Sequence, residues 1–538
     1  MRIAIDIRRF PWVSRLSADY AYTYSNLDAF FAGDPEQPGA WVEAIRRTQA
    51  HPRDRGTLAA AVAAQQERRG APPEARAAAA RLASLEAVAV VTGQQAGLFG
   101  GPLYTLLKAL TAVKLAARVT AEHGVPAVPV FWVESEDHDW REVSACAVLD
   151  AEMGGRAIAL GTPPGAGEIP VSSVVLDPSI LAAVDSLRAT LPPTEFTAGT
   201  IDALSRAYRP GAGMSAAFGT WIESVLGRLG LVVYDASDPA TKPLAADLFT
   251  RELESPATGR LALAQGRALE ALGYRAQVLP QEDGVALFAL DGTRRPIRVR
   301  GGAFAVGDTV VPSADLLERS RRQPERFSPN VLLRPVVQDA LFPTVCYVAG
   351  PSELAYQAEL GPVYRHFGVP QPLVAARATA TLLDSAAARF LEKHALPLEA
   401  LQPDNETALN RLLEASIPKE VEDARLGAAQ AIEGGMARLI DALPSIDATL
   451  AGAARSSLGR MQHDLRTLHE KILQAAKRRD ETLRRQFART RALAFPDGHP
   501  QERVIGFVSF LNRYGPALVD RLRDELPTDA GTHWVLTP

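Results

Sequence analysis

Three rhythms of apolar and polar residues follow one another along this 538-residue chain, and each predicts a different kind of element. The first is the short unbroken apolar run. Ala87-Val-Ala-Val-Val-Thr92 and Ala127-Val-Pro-Val-Phe-Trp-Val133 read as strands buried on both faces. Between them Leu106, Leu107, Leu110, Val113 and Leu115 form a helical stripe within Leu103 to Glu122, closed by His123-Gly124. Strand, glycine-rich turn, helix and strand in that order predict a βαβ unit of a parallel sheet. Leu229-Gly-Leu-Val-Val-Tyr-Asp235 and Thr344-Val-Cys-Tyr-Val-Ala-Gly350 are further core strands, and Met1 to Phe10 alternates like a strand.

The second rhythm is strict alternation between Asp-Gly and Gly-Gly turns, from about Tyr274 to Val311, which predicts a small antiparallel insert. A third begins after Leu383, where long helices take over. Leu458, Met461, Leu465, Leu468, Ile472 and Ala475 recur at steps of 3 and 4, a heptad seam flanked by charge such as Lys477-Arg-Arg-Asp-Glu481. The run ends at Phe495-Pro-Asp-Gly498 and predicts a coiled-coil hairpin or dimerisation arm. The predicted organisation is a core over 1–382 with inserts near 151–225 and 274–325, a helical domain over 383–497, and a segment 498–538 that returns to the core.

Composition narrows the classes of function. With 47% hydrophobic and 22% charged residues and a mean hydropathy of -0.03, the chain is packed rather than disordered or fibrous. A net charge of -4 disfavours a nucleic-acid surface, which needs a basic excess. Seven of the basic residues are lysine, so a lysine inside a motif stands out. Cys146 and Cys346 are too few for a disulfide framework and too far apart for a metal or redox motif, and both read as reduced core residues. No signal peptide and no apolar run of the ~18 residues a membrane span requires is present, so a cytoplasmic protein without a membrane partner is expected.

Four segments carry candidate chemistry. Thr92-Gly-Gln-Gln-Ala-Gly-Leu-Phe-Gly-Gly-Pro102 joins a strand to a helix. Glycines there permit close approach of backbone to ligand, and free N–H groups at a helix start favour an anion. A tight turn explains Gly93, Gly97 and Gly100 but not the paired amides Gln94 and Gln95. Lys108 reaches back towards a phosphate, or else lies in solvent. The second segment is Phe131-Trp-Val-Glu-Ser-Glu-Asp-His-Asp-Trp140, at the carboxyl end of a strand where open parallel sheets bind ligands. Its crowded acids repel one another unless a ligand, cation or arginine compensates. Glu136, Asp137, His138 and Asp139 are therefore candidates to deprotonate an amine or to hold nucleotide-borne Mg²⁺, against a solvated helix N-terminus as the plainer reading.

In the third segment, Tyr347-Val-Ala-Gly-Pro-Ser-Glu-Leu-Ala-Tyr-Gln357, Glu353 either binds a substrate ammonium or closes a capping box, and Tyr356 follows on the same helix as a binding candidate. Upstream lie Asn330, Arg334 and Asp339, with Arg334 a carboxylate clamp or an ordinary ion pair. The fourth segment sets Arg503, Asn512, Arg513 and Tyr514 in an apolar stretch after the coiled coil, to dock that coil on the core or to line a second ligand pocket. No resident metal site is read.

Taken together, these segments resemble the bacillithiol biosynthesis cysteine-adding enzymes, the BshC family. The resemblance rests on Thr92 to Leu98 with Gly101-Pro-Leu-Tyr-Thr-Leu-Leu-Lys108, Pro129 to Val133 with Glu136-Asp-His-Asp139, Ala349 to Gln357, Gln501-Glu-Arg-Val504 and Phe510-Leu-Asn-Arg-Tyr-Gly515, with Asp19-Tyr20 ahead of Phe30-Phe31. It implies an α/β, Rossmann-like parallel core with inserted connecting segments, similar to class I aminoacyl-tRNA synthetases, and an α-helical coiled-coil domain that pairs subunits as a homodimer. The implied reaction joins the carboxyl group of cysteine to the amine of glucosaminyl malate. No His-Ile-Gly-His or Lys-Met-Ser-Lys-Ser is present.

Amide formation in water requires an activated carboxyl, which calls for an anion cradle, charge neutralisation and a base. Gly93 to Gly101 are assigned the cradle for ATP or another nucleotide with Mg²⁺, His138 with Asp137 or Asp139 the base, Glu136 or Glu353 the ammonium contact, and Arg334 a carboxylate. Two rival readings are a nucleotidyltransferase acting on another small molecule and a nucleotide-sensing coiled-coil scaffold.

Overall fold

The protein, seen in a computed structural model, is described over residues 2–402, 406–415, 417–447, 449–479 and 481–538, with the side chains of 476–479 excepted. Met1 of the predicted first strand and Asp480 of the charged run lie outside the described residues, as do the side chains of Lys477, Arg478 and Arg479. In chain order the strands are β1 (Arg2–Asp6), β2 (Val88–Gln95), β3 (Ala127–Glu134), β4 (Ala145–Leu149), β5 (Gly155–Ala159), β6 (Val232–Asp235), β7 (Gly284–Leu290) and β8 (Arg294–Arg300). They continue with β9 (Ala303–Val306), β10 (Thr309–Pro312), β11 (Phe327–Pro329), β12 (Thr344–Ala349), β13 (Leu373–Ala376), β14 (Thr379–Leu382) and β15 (Thr532–Leu536).

The apolar runs form one parallel sheet in the order β13-β12-β2-β3-β6. Period-two alternation divides each run between two cores: Val88 and Val90 pack with Leu115, Ala116 and Val119 of the helix Leu103–His123. On the other face lie Ala89, Val91, Val128, Val130 and Trp132. Both faces are covered, which is why these strands read as unbroken apolar runs. The strand predicted from Leu229 begins only at Val232, because Gly227–Leu229 makes a helical turn that ends at left-handed Gly230 (φ 78°).

Left-handed backbone also shapes the turn into the helix Leu103–His123. Gly100 has φ 94°, and a Cβ there would lie 2.3 Å from the ring of Phe507, a residue of the C-terminal tail. Gly100→Ala is therefore expected to cost about 2–3 kcal/mol through strain and overpacking, read as a loss of stability in urea unfolding.

The predicted antiparallel insert is a five-stranded sheet in the order β10-β9-β8-β7-β11. Its inner face is not a separate core: Val285, Leu287, Ile297 and Phe304 join the cluster that covers the parallel sheet. A third sheet unites the chain ends, with β15 antiparallel to β1 and parallel to β14. Residues Met1–Leu382 and Pro500–Pro538 make one compact unit and Leu383–His499 a second.

Within the second unit, the helices Lys419–Ala442 and Leu450–Arg479 pack against each other as a hairpin. The heptad seam is only partly covered there: Leu458, Leu465 and Ile472 are half-buried, while Met461 and Leu468 are 41% and 51% exposed. Among the described residues no helix is long and apolar enough to cross a membrane. Cys146 and Cys346 are free and buried, and burial pushes both thiols up to about 12, so neither supplies a thiolate.

Candidate active site

A cavity of about 640 Å³ opens at the carboxyl ends of β2, β3 and β12, where a parallel sheet leaves strand ends free to face a ligand. Its floor is Gly93, Gln94, Gln95, Trp132, Glu134 and Asp137. The helix Pro351–Gln357 and its approach supply Tyr347, Gly350, Glu353 and Tyr356. The helix Leu103–His123 adds Tyr104 and Lys108, and Arg377 stands beside them. The β-rich insert and the chain after it close the cavity with Phe288, Arg294, Asn330 and Arg334, while Glu142 and Arg503 stand on the remaining wall.

Most of these charges are already paired. Lys108 is not in solvent as one sequence reading had it. It is 1% exposed because its helix is packed on nearly every side. Its Nζ donates to the Gly93 carbonyl and to Glu353 Oε2 at 2.6 Å. Glu353 closes the predicted capping box by accepting from the Gly350 N–H at 2.7 Å, and its carboxyl also lines the cavity, where it accepts from the Tyr347 hydroxyl at 2.6 Å. Burial opposes its charge most strongly, but Lys108, the Tyr347 hydroxyl and the Gly350 N–H together hold the carboxyl below its ordinary range. Arg334 donates to Tyr356 Oη and Gln338 Oε1, both at 3.0 Å, and lies 3.6 Å from Glu134.

The acidic run divides sharply. Asp137 alone of Glu136, Asp137, His138 and Asp139 lines the cavity, where it accepts from Gln95 Nε2 at 2.6 Å and from Arg294 Nη1 at 3.0 Å. Glu136 turns inward, 4% exposed, and pairs with Lys242. Burial raises its carboxyl to about 7, with Lys242 offsetting part of that rise. It cannot be the ammonium contact, because Lys242 already fills that place. Asp139 caps the short helix Trp140–Val143 by accepting from the Glu142 N–H at 3.2 Å. His138 stands off the wall with Nδ1 3.0 Å from Arg294 Nη1. The same Nδ1 lies 3.3 Å from Asp137 Oδ1, so the ring sits between the carboxylate and the guanidinium.

Chain matching decides the family. The model for "Bacillithiol biosynthesis BshC, N-terminal Rossmann-like domain" matches residues 2–378, and that for "Bacillithiol biosynthesis BshC, C-terminal coiled-coil domain" matches 380–538. The chain belongs to the BshC family. A Salinibacter ruber protein named "Putative cysteine ligase BshC" is 33% identical over 97% of this chain and 96% of its own length. A Koribacter versatilis protein of the same name is 35% identical over 97% of both chains. The Rossmann-like class expected from the resemblance is the observed one.

Within this BshC-family fold part of the predicted glycine cradle bonds to itself. Gly97 N–H donates to the Gln95 carbonyl at 2.8 Å, Gly100 N–H to Gly97 at 3.1 Å and Gly101 N–H to Leu98 at 3.1 Å, so those donors are spent inside the loop. Gly97 is also tied by Tyr208, whose hydroxyl donates to its carbonyl at 3.1 Å. The tail seals the far side through Leu103 N–H to Ile505 and Phe507 N–H to Gly101. Gly93, Gln94 and Gln95 are the loop residues that reach the cavity.

Asp339 is buried off the wall, where burial pushes it up to about 6 while Tyr364 and Gln338 donate to it. Asn330 lines the wall while its Oδ1 accepts from the Leu332 and Leu333 N–H groups at 3.0 and 3.1 Å. Asn512 Nδ2 donates to the Pro192 carbonyl at 2.9 Å, and Arg513 Nη1 lies 3.1 Å from Met153 Sδ. Tyr514 lies on the same helix Phe507–Tyr514, off the wall of the main cavity, to which Arg503 belongs.

Sequence reasoning missed Arg294, Phe288, Trp132, Tyr104, Arg377 and Glu142 as wall residues. Arg294 had no signal beyond its place in an alternating basic strand. It nevertheless stacks 3.8 Å over Phe288 and joins insert to floor. Five cationic and four anionic side chains line the cavity, which suits a small molecule bearing both charges.

Proposed function

We propose that this cavity joins the carboxyl group of cysteine to the amine of glucosaminyl malate, making the chain a carbon–nitrogen ligase that completes bacillithiol. The observation that carries the reading is similarity over 97% of the chain to proteins named as cysteine ligases. The mixed-charge cavity supports it, because both substrates carry an amine and at least one carboxylate. Asp137 is the proton acceptor assigned here, since of Glu136, Asp137, His138 and Asp139 it is the one that lines the cavity. Gln95, fixed by its bond to Asp137, and Arg294 hold that carboxylate in place.

An activating nucleotide with Mg²⁺ is the remaining expectation. Three of the loop amides that would cradle its phosphates, those of Gly97, Gly100 and Gly101, are spent within the loop, and among the described residues no group of three or more His, Cys, Asp or Glu is gathered for a metal ion. The residues present do not fit a preformed phosphate site, and no step is routed through one. We also place the reaction in the cytoplasm, in keeping with two free thiols, and propose a homodimer through the half-covered heptad seam. In a deletion strain, thiol profiling is expected to show accumulated glucosaminyl malate without bacillithiol. Normal bacillithiol would sink the reading.

A further inference from the structure

Nine charged side chains line the cavity, and seven are held by an opposite charge: Lys108 by Glu353, Arg334 by Glu134, Arg294 by Asp137, and Arg377 by Glu502. Glu142 and Arg503 are the two whose side chains make no ion pair or hydrogen bond among the described residues, with each other or with any neighbour. They are of opposite sign and lie within electrostatic reach of one another. Unpaired charges facing the same cavity are where ligand charge gains most, because no protein partner has to be displaced.

The fold places both deliberately. Gln501 clasps Leu382 with two bonds of 2.7 and 2.8 Å, and Glu502 accepts from Arg377 Nη2 at 2.6 Å and from the Ala380 N–H at 2.9 Å. Two successive residues are thus clamped and the third, Arg503, is presented to the cavity. Three residues on, Gly506 N–H donates to the Ala147 carbonyl at 2.7 Å, which lays the tail along β4 immediately after the helix that carries Glu142. A Cβ on Gly506 would lie 2.4 Å from Cys146 Sγ, so only glycine allows that approach.

We infer that Arg503 receives a carboxylate of the amine substrate and Glu142 its ammonium group, making this pair the specificity contact for an amino sugar that carries an acid. The inference rests on the proposed reaction for the identity of that substrate. In an α-amino acid the two charges share one carbon, whereas glucosaminyl malate carries its amine and its carboxylates on different halves. Protein charges that do not touch each other match the second arrangement.

The test is equilibrium binding by calorimetry, with glucosaminyl malate and with a methyl glucosaminide that lacks the malyl carboxylates. Wild type is expected to bind glucosaminyl malate the more tightly. Arg503→Ala is expected to weaken that affinity about tenfold or more and leave the glucosaminide unchanged, with Arg503→Lys restoring part of the loss. Glu142→Gln should weaken both ligands. Arg503 is exposed and unpaired, so its replacement leaves the fold intact. Equal affinity of wild type for the two ligands, or unchanged binding in Arg503→Ala, overturns the inference. Binding as expected without amide formation overturns the reaction alone and leaves this contact standing.

Discussion

Arg294→Ala is expected to lower kcat/KM for amide formation by about 100-fold or more, the scale on which misplacing a reacting group acts. The side chain is the fastening between insert and floor. Its guanidinium donates to Asp137 at 3.0 Å, to His138 Nδ1 at 3.0 Å, to Ser328 Oγ at 3.1 Å and to the Pro329 carbonyl at 3.3 Å, while stacking on Phe288. Alanine would leave Asp137 with Gln95 and the His138 ring, 3.3 Å from its Oδ1, and remove the guanidinium that holds both carboxylate and ring. Lysine keeps the charge but not the fork, so Arg294→Lys should recover only part of the rate. The loss should fall chiefly on kcat, because Arg294 positions Asp137 rather than adding a free charge for substrate. Rates of the two variants within threefold of wild type would remove Arg294 from the site.

The second large effect is on stability. Lys242→Met should destabilise the protein by about 3–5 kcal/mol, because it leaves Glu136 buried without its counter-charge. Lys242 is 5% exposed and Glu136 4%, so water cannot replace the lost partner. In the double variant Glu136→Leu with Lys242→Met, most of that loss should be regained, since an apolar pair of similar volume carries no charge to desolvate. Urea unfolding measures both. The same double variant should keep its turnover once refolded stability is restored, which separates a structural Glu136 from a catalytic one. A double variant that is stable but inactive would return Glu136 to the site.

The parallel sheet was legible because strands covered on both faces leave unbroken apolar runs, as in Val88 to Val91 and Val128 to Val133. Hairpins of the insert were legible from their turns at Asp291-Gly292 and Gly301-Gly302. Side-chain direction was not. Glu136, Asp137, His138 and Asp139 follow one another where β3 has ended, so no period tells which faces the cavity, and the partners that decide it, Lys242 and Arg294, lie more than a hundred residues away in sequence. Arg294 sits in Arg294-Arg-Pro-Ile-Arg-Val-Arg300, which reads as a solvated basic face. Lys108 did carry a signal, its rarity in an arginine-rich chain, yet a polar residue on a helix read as amphipathic points to solvent unless the far side is known to be covered.

Glycine in the loop after β2 was read as freedom for a ligand. The structure uses it for the chain itself: Gly100 admits Phe507 and the loop amides bond within the loop. Tail and loop are far apart in sequence, and only their contact explains why Gln501 to Phe507 and Gly93 to Pro102 stand out together.

Purified protein, cysteine and glucosaminyl malate, followed by mass spectrometry with ATP and Mg²⁺ present or omitted, test the central claim most directly. A product with the mass of the two substrates less one water is expected, formed by wild type and nearly abolished in Arg294→Ala. No such product under any of these conditions would contradict it.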